Sequence, residues 1–171
     1  LRFSELSITT NFSFLQGASH PEEYMERGAF LGLNAIAIAD VNSVAGIVRA
    51  HTCGEKIKQT VSERQRIESF GPPCPRHLKG YSLIDVENVP RLIPAARLIF
   101  EEGVSVTSII RTHEGWKTIC KLISKGRLRS KKGECELKIA DVSKKISGIT
   151  LLLHVPQTLP KKNDTWWKEV R

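Results

Sequence analysis

The side chains that most often hold metal ions or act as nucleophiles are few in this sequence and widely spaced. Its four cysteines never form a closely spaced pair of the C-x-x-C kind, so a zinc site would have to be assembled from distant segments. No two of its five histidines share a metal-binding spacing such as i, i+4. Spacing alone therefore predicts no metal centre among Cys53, Cys74, Cys120, Cys135, His20, His51, His77, His113 and His154.

The densest chemical signal is a run of positive charge in residues 125–132. The chain has a net charge of +8, and because residues 1–50 carry −2, the remainder carries +10. Lysine and arginine neutralise backbone phosphates, and glycines in the run would let the backbone approach them. The run contains no aromatic side chains, so base stacking is not predicted, and a solvated loop is the alternative. The candidate nucleic-acid-binding residues are Lys125, Arg127, Arg129, Lys131 and Lys132.

The elements that must position these residues alternate between helix and strand. A serine cap at Ser19, followed by Pro21 and Glu22, predicts a helix that runs to about residue 31. The apolar residues 35–39 predict a strand that is buried on both faces and ends at Asp40. Helix, strand and helix in this order predict an α/β fold with a largely parallel sheet. A second helix should bury the face that carries Val44, Ile47, Val48 and His51.

The rest of the chain is predicted to contain two more strands, a basic helix and a final strand. Residues 91–100 and 104–110 should be strands joined by a turn at 101–103, and residues 149–153 should form the last strand. Residues 52–90 are predicted to be a polar insertion, and residues 156–171 a linker with the start of a truncated element, so the domain should span residues 1–155. No apolar run could cross a bilayer, and a cytoplasmic protein is expected.

Several stretches, taken in order, resemble one family. Residues 9–23 read TTNFSFLQGASHPEE, residues 32–50 read GLNAIAIADVNSVAGIVRA, residues 92–100 read LIPAARLIF, and residues 125–136 read KGRLRSKKGECE. Their order and spacing resemble the N-terminal PHP domain of bacterial error-prone DNA polymerases, which are homologues of the polymerase III alpha subunit. The resemblance implies an α/β fold of the PHP barrel type with mostly parallel strands. The barrel would be distorted or partial, because the family domain is longer than this chain.

The resemblance also implies where a metal site would lie. Active PHP domains carry a His-x-His pair on the first strand, and the matching positions here are Ser7 and Thr9. The family's Asp-His pair after the second strand reads Asp40-Val41, and a family glutamate is matched by Arg97. Hydroxyls bind zinc or manganese less well than imidazole, and a guanidinium cannot be deprotonated to make way. No metal site and no catalytic residue are therefore predicted.

Asp40 is the one surviving ligand type, and two roles are open for it. It could be a relic ligand that is now paired with Arg97. The preferred alternative is a cap on the helix that begins near Ser43.

The function implied by the resemblance is a non-catalytic structural module in damage-induced, lesion-bypass DNA synthesis and repair. The family consists of DNA-directed nucleotidyltransferases, but this chain alone is expected to be inactive and to need no cofactor; zinc or manganese is expected only if a metal site is retained. The expected partners are the rest of the polymerase chain and the phosphates of DNA, without a membrane. The alternatives are a metal-dependent PHP phosphoesterase or exonuclease, and a DNA-binding adaptor that uses its basic face.

Overall fold

The computed structural model of the chain describes residues 3–70, 84–142 and 147–155. These residues form a five-stranded sheet in the order β1-β2-β3-β4-β5, with three helices packed against it. None of the helices in the described ranges is long and apolar enough to cross a membrane. The elements are β1 (Ser4–Ile8), α1 (Pro21–Phe30), β2 (Ala35–Ile38), α2 (Ala45–Phe70), β3 (Arg91–Ile99), β4 (Ser105–Ile110), α3 (His113–Arg129) and β5 (Ile149–His154).

The sheet is mixed, so the prediction of mostly parallel strands is correct for only part of it. β1 pairs with β2, and β2 with β3, in parallel, whereas β3–β4 and β4–β5 are antiparallel. A turn at residues 101–103 joins β3 to β4, with the Gly103 N–H donating to the Phe100 carbonyl at 3.0 Å. So short a connection can only join antiparallel strands. The predicted α/β class is confirmed, and the described residues form a curled half-barrel rather than a closed barrel.

The sheet curls strongly toward its helix-free face. The Ser7 hydroxyl on β1 lies 3.0 Å from the Thr107 hydroxyl on β4, although β2 and β3 lie between these strands. In a flat sheet three strand spacings would separate them by about 14 Å. Small side chains line this concave face, where Ala37, Ala39 and Ala95 form a cluster of their own. The curl brings side chains of distant strands together on the concave face.

The convex face of the sheet carries the helices and the larger cores. Met25 of α1 and Ile57 of α2 pack with Ile36 and Ile38 of β2, while Ile119 of α3 belongs to the second cluster. The predicted first helix and the predicted strand at 35–39 are confirmed. The predicted cap at Ser19 is wrong by one residue, because His20 is the N-cap and its N–H donates to the side chain of Glu23 at 2.7 Å.

The predicted buried face of α2 is wrong at two positions. Val48 is 65% exposed, and His51 is exposed as well. The stripe that packs against the sheet instead follows Ile47, Ala50, Ile57 and Val61. Residues 52–70, which the sequence assigns to the polar insertion, continue this helix. Residues 84–90 of the predicted insertion form a short 3-10 helix at Val86–Asn88 and contribute Ile84 and Val89 to the core. Residues 71–83 and the predicted linker at 156–171 lie outside the described residues, and the domain boundaries stay a prediction.

Candidate functional site

The carboxyl ends of the parallel strands β1 and β2 meet around the buried side chain of Asp40. Parallel strands end at the same edge of a sheet, so the loop after β1 crosses directly over the end of β2. Asp40 Oδ1 accepts hydrogen bonds from the Thr10 N–H at 2.8 Å and from the Ser13 hydroxyl at 2.8 Å. The Thr10 hydroxyl lies 2.9 Å from both carboxyl oxygens. Asp40 therefore fastens the loop that follows β1 to the sheet.

Neither of the contacts predicted for the Asp40 side chain, the helix cap and the pair with Arg97, is found among the described residues. The helix-start contact is made by Ser43, whose hydroxyl accepts from the Ala45 N–H at 3.2 Å. The guanidinium of Arg97 donates to the Ser105 hydroxyl at 3.1 Å, and no ion pair joins it to Asp40 in the described part of the chain. Only the backbones of the two residues meet, with the Arg97 N–H donating to the Asp40 carbonyl at 3.0 Å. The hydroxyl groups of Thr10 and Ser13 donate to the carboxylate oxygens that would otherwise be available to a metal ion or an arginine.

A second cluster of polar side chains lies across the concave face and includes two of the positions that were matched to family metal ligands, Ser7 and Arg97. Thr107 is buried between the hydroxyl of Ser7 at 3.0 Å and Nε2 of His154 at 2.7 Å. Arg97 lies opposite Thr107 in the β3–β4 ladder, and Ser105 lies opposite His154 in the β4–β5 ladder. The structure therefore brings Ser7 and Arg97 to one face, joined through β4 and β5. Thr107 and His154 were missed because no local pattern marks them.

His154 gives the stability of the fold a testable dependence on pH. Burial, and secondly the positive charge of Arg97, lower the pKa of His154. The unfolded chain therefore binds a proton more readily, and stability should fall as pH drops below about 6.5, the ordinary histidine value. We expect His154→Gln, which keeps a group able to bond Thr107, to flatten this part of the pH profile. Urea unfolding between pH 5 and 8 measures it, and parallel profiles for both proteins would contradict the prediction.

The residues at the implied metal site do not fit a metal ion. Ser7 is bonded to Thr107, Arg97 brings a fixed positive charge, and both carboxyl oxygens of Asp40 accept hydrogen bonds from the chain. Val41 offers no ligand atom, and the carbonyl rather than the side chain of Thr9 accepts from the Tyr24 hydroxyl at 3.3 Å. Across residues 3–70, 84–142 and 147–155, no group of three or more His, Cys, Asp or Glu side chains is placed to hold a metal.

The five candidate nucleic-acid-binding residues divide into two sets. Lys125 and Arg129 both pair with Asp141, at 2.7 Å and 2.8 Å. Arg129 first, and then Lys125, hold the pKa of Asp141 well below its usual range. The basic segment is also not a loop along its whole length, because α3 continues to Arg129. Two of the five cations thus share one internal carboxylate, which offsets one of their two positive charges.

The other set lies across a surface hollow from two phenylalanines. Arg127 donates to the Asn42 carbonyl at 3.1 Å, and Lys131 and Lys132 follow the end of α3. These three cations line a hollow of about 470 Å³ together with Phe12 and Phe14 from the loop after β1. Sequence reasoning found no aromatic side chains within the basic run because the two phenylalanines lie more than a hundred positions earlier in the chain.

Comparison with known proteins identifies homologues of the chain. No protein-family model matches the chain. The error-prone DNA polymerase of Ruegeria pomeroyi is 36% identical over 164 residues, which are 92% of this chain and 15% of that polymerase. That of Rhodopseudomonas palustris (strain BisB5) is 36% identical over 155 residues, or 90% of this chain and 12% of its own length. The chain is homologous to bacterial error-prone DNA polymerases. Error-prone DNA polymerase 1 of Rhizobium meliloti is 38% identical over 141 residues, covering 82% of this chain and 10% of that polymerase.

The resemblance to error-prone DNA polymerases that the sequence predicts is thereby confirmed, and it is consistent with a PHP domain. The chain spans 15% or less of the length of these polymerases. Among solved structures, a protein described as a metal-dependent phosphoesterase from Bifidobacterium adolescentis has 18% identity and a TM-score of 0.47, over 74% of this chain and 34% of that one. An amidohydrolase from Chromobacterium violaceum has 13% identity and a TM-score of 0.46, over 73% and 33%.

Proposed function

We propose that the chain is the PHP segment of a larger error-prone DNA polymerase and serves there as a structural module without metal-dependent catalysis. The observation that carries this proposal is the internal hydrogen bonding of the buried Asp40 side chain. Its carboxylate accepts from three donors of the chain, the Thr10 N–H and the hydroxyls of Thr10 and Ser13, and the Thr10 hydroxyl lies 2.9 Å from both oxygens, so a divalent cation would have to displace these bonds. Arg97, at the position matched to a family glutamate, adds a fixed positive charge on the face that carries Ser7.

The exposed outer edge of the sheet supports packing against the rest of a polymerase. On β5 and just beyond it, the apolar side chains of Leu151, Leu153 and Val155 are 46%, 38% and 54% exposed. Exposed apolar side chains next to an edge strand favour contact with further protein. The role that follows is a scaffold within a cytoplasmic enzyme of damage-induced, lesion-bypass synthesis and DNA repair. Nucleotidyl transfer itself would require carboxylates and metal ions held elsewhere in the larger chain.

Metal content tests this proposal directly. We expect the chain to retain well under one equivalent of metal, measured by mass spectrometry, after purification with zinc or manganese and dialysis. The reason is that Asp40 and Ser7 are hydrogen-bonded within the chain and the remaining positions offer poor ligands. Hydrolysis of bis(p-nitrophenyl) phosphate should not exceed that of a buffer blank. One tightly held equivalent that Asp40→Asn removes, with phosphoesterase activity that is lost in parallel, would establish the enzyme instead.

A further inference from the structure

The loop after β1 carries two large apolar side chains at its tip, Phe14 and Leu15, and both are exposed to solvent. Phe14 is 84% exposed and Leu15 is 89% exposed, and Leu15 has a φ of 60°. Such a backbone conformation is unfavourable for a non-glycine residue and persists only where its surroundings impose it. Here the Gln16 and Gly17 N–H groups both donate to the Ser13 carbonyl at 3.0 Å, and Asp40 holds Ser13. The fold therefore holds two large apolar side chains in water, away from any core.

The wall opposite this tip is positively charged. Lys131 and Lys132 form no ion pair with the described residues, in contrast to Lys125 and Arg129. Arg127 is held against the hollow by its bond to the Asn42 carbonyl, which leaves other guanidinium N–H groups for a ligand. Gly133 has a φ of 94°, and no atom lies within 4 Å of the position that a Cβ would take, so the backbone here is open to close approach. Glu134 is the one acidic residue among the described lining.

We propose that this hollow binds single-stranded nucleic acid, with an unpaired base stacked on Phe14 and the adjoining phosphates held by Arg127, Lys131 and Lys132. Unpaired bases stack on exposed aromatic rings without regard to sequence, and cations that track the backbone supply the remaining affinity. A duplex keeps its bases stacked on each other and could use only the cations. The site goes beyond the structural role proposed above, and it does not depend on whether metal chemistry has been lost.

Fluorescence anisotropy with a labelled oligothymidine and a duplex of equal length tests the site in the 171-residue chain. We expect the single strand to bind more tightly than the duplex at low salt, with a log–log salt slope of about −2 for three cations. Phe14→Ala should weaken single-strand binding by about tenfold and leave the salt slope unchanged, because it removes stacking without charge. The double variant Lys131→Ala, Lys132→Ala should weaken binding by about tenfold and make the salt slope less negative by about 1.4.

The matched control removes two lysines elsewhere on the surface. Lys58 and Lys117 pair with Glu55 and Glu114 on the outer faces of their helices, and their double alanine variant loses the same charge. Its affinity for the single strand should stay within about twofold of that of the original chain, since the net charge of the protein changes but the hollow does not. Equal loss in the two double variants, equal binding of duplex and single strand, or Phe14→Ala binding at full strength would each overturn the proposal. Absence of oligonucleotide binding at low salt would also overturn it and would leave a protein partner as the occupant of the tip.

Discussion

Replacing Asp40 with alanine should lower the free energy of unfolding by about 3–5 kcal/mol, one of the largest losses expected from a single substitution in this chain. The side chain is fully buried and accepts hydrogen bonds from the Thr10 N–H and from the hydroxyls of Thr10 and Ser13. Alanine would leave three buried donors without an acceptor, and each costs roughly 1–3 kcal/mol when the site cannot be hydrated. Urea denaturation, followed by far-UV circular dichroism, measures the change.

The control for Asp40 is a carboxylate that the fold does not bury. Glu63 is exposed on α2, and Glu63→Ala should change stability by less than about 0.5 kcal/mol. Asp40→Asn should fall between the two, because its carbonyl still accepts from the Thr10 N–H while hydroxyl groups can rotate to accept from its amide. If Asp40 is structural, added zinc or manganese leaves the unfolding midpoint of the original chain unchanged. A loss below 1 kcal/mol in Asp40→Ala, or a midpoint that rises with metal, would contradict this role.

Local patterns in the sequence were sufficient to predict most of the elements. Pro21 and the polar residues around it placed α1, although the cap is His20 rather than the predicted Ser19. The run of alternating alanine and isoleucine at 35–39 placed β2, because such signals depend on residues within a few positions of one another. The face of α2 was misassigned because four residues are too few to fix a helical stripe. Val48 matches the stripe over one turn, but Ile57 and Val61, on the part assigned to an insertion, show where it runs.

The candidate site depended on contacts that no local pattern encodes. Ser7 and Arg97, which the resemblance matched to one family site, lie on one face, but the partner of Ser7 is Thr107, one hundred positions away. That contact follows from the curl of the sheet, which small side chains on the concave face permit and which the sequence does not state. The same holds for Phe14, which lines one hollow with Lys131 only because the end of α3 lies close to the loop after β1. Single hydroxyl and aromatic residues acquire their roles from tertiary structure alone.

Replacing Gly17 with alanine should lower the free energy of unfolding by about 2–4 kcal/mol, because a Cβ at this position would collide with the backbone just after β1. It would overlap the Thr10 carbonyl oxygen and would lie 2.5 Å from the Thr10 carbonyl carbon and 2.7 Å from the Thr9 carbonyl oxygen. Backbone atoms cannot rotate aside as a side chain would, so the whole loop would have to move. Thermal and urea unfolding of the variant measure the cost.

Gly103→Ala is the control that distinguishes the steric collision at Gly17 from the ordinary loss of stability on replacing a glycine. Gly103 has a φ of 80° with no atom within 4 Å of a Cβ, so Gly103→Ala should cost about 1 kcal/mol through backbone strain alone. A larger loss at Gly17 than at Gly103 therefore reports close packing of the loop on Thr10. Because that packing positions Phe14, Gly17→Ala should also weaken single-strand binding at temperatures where the variant remains folded, whereas Gly103→Ala should not. Equal losses of stability in the two variants would show that the loop is free to shift, and the tip would then not be held in place by the fold.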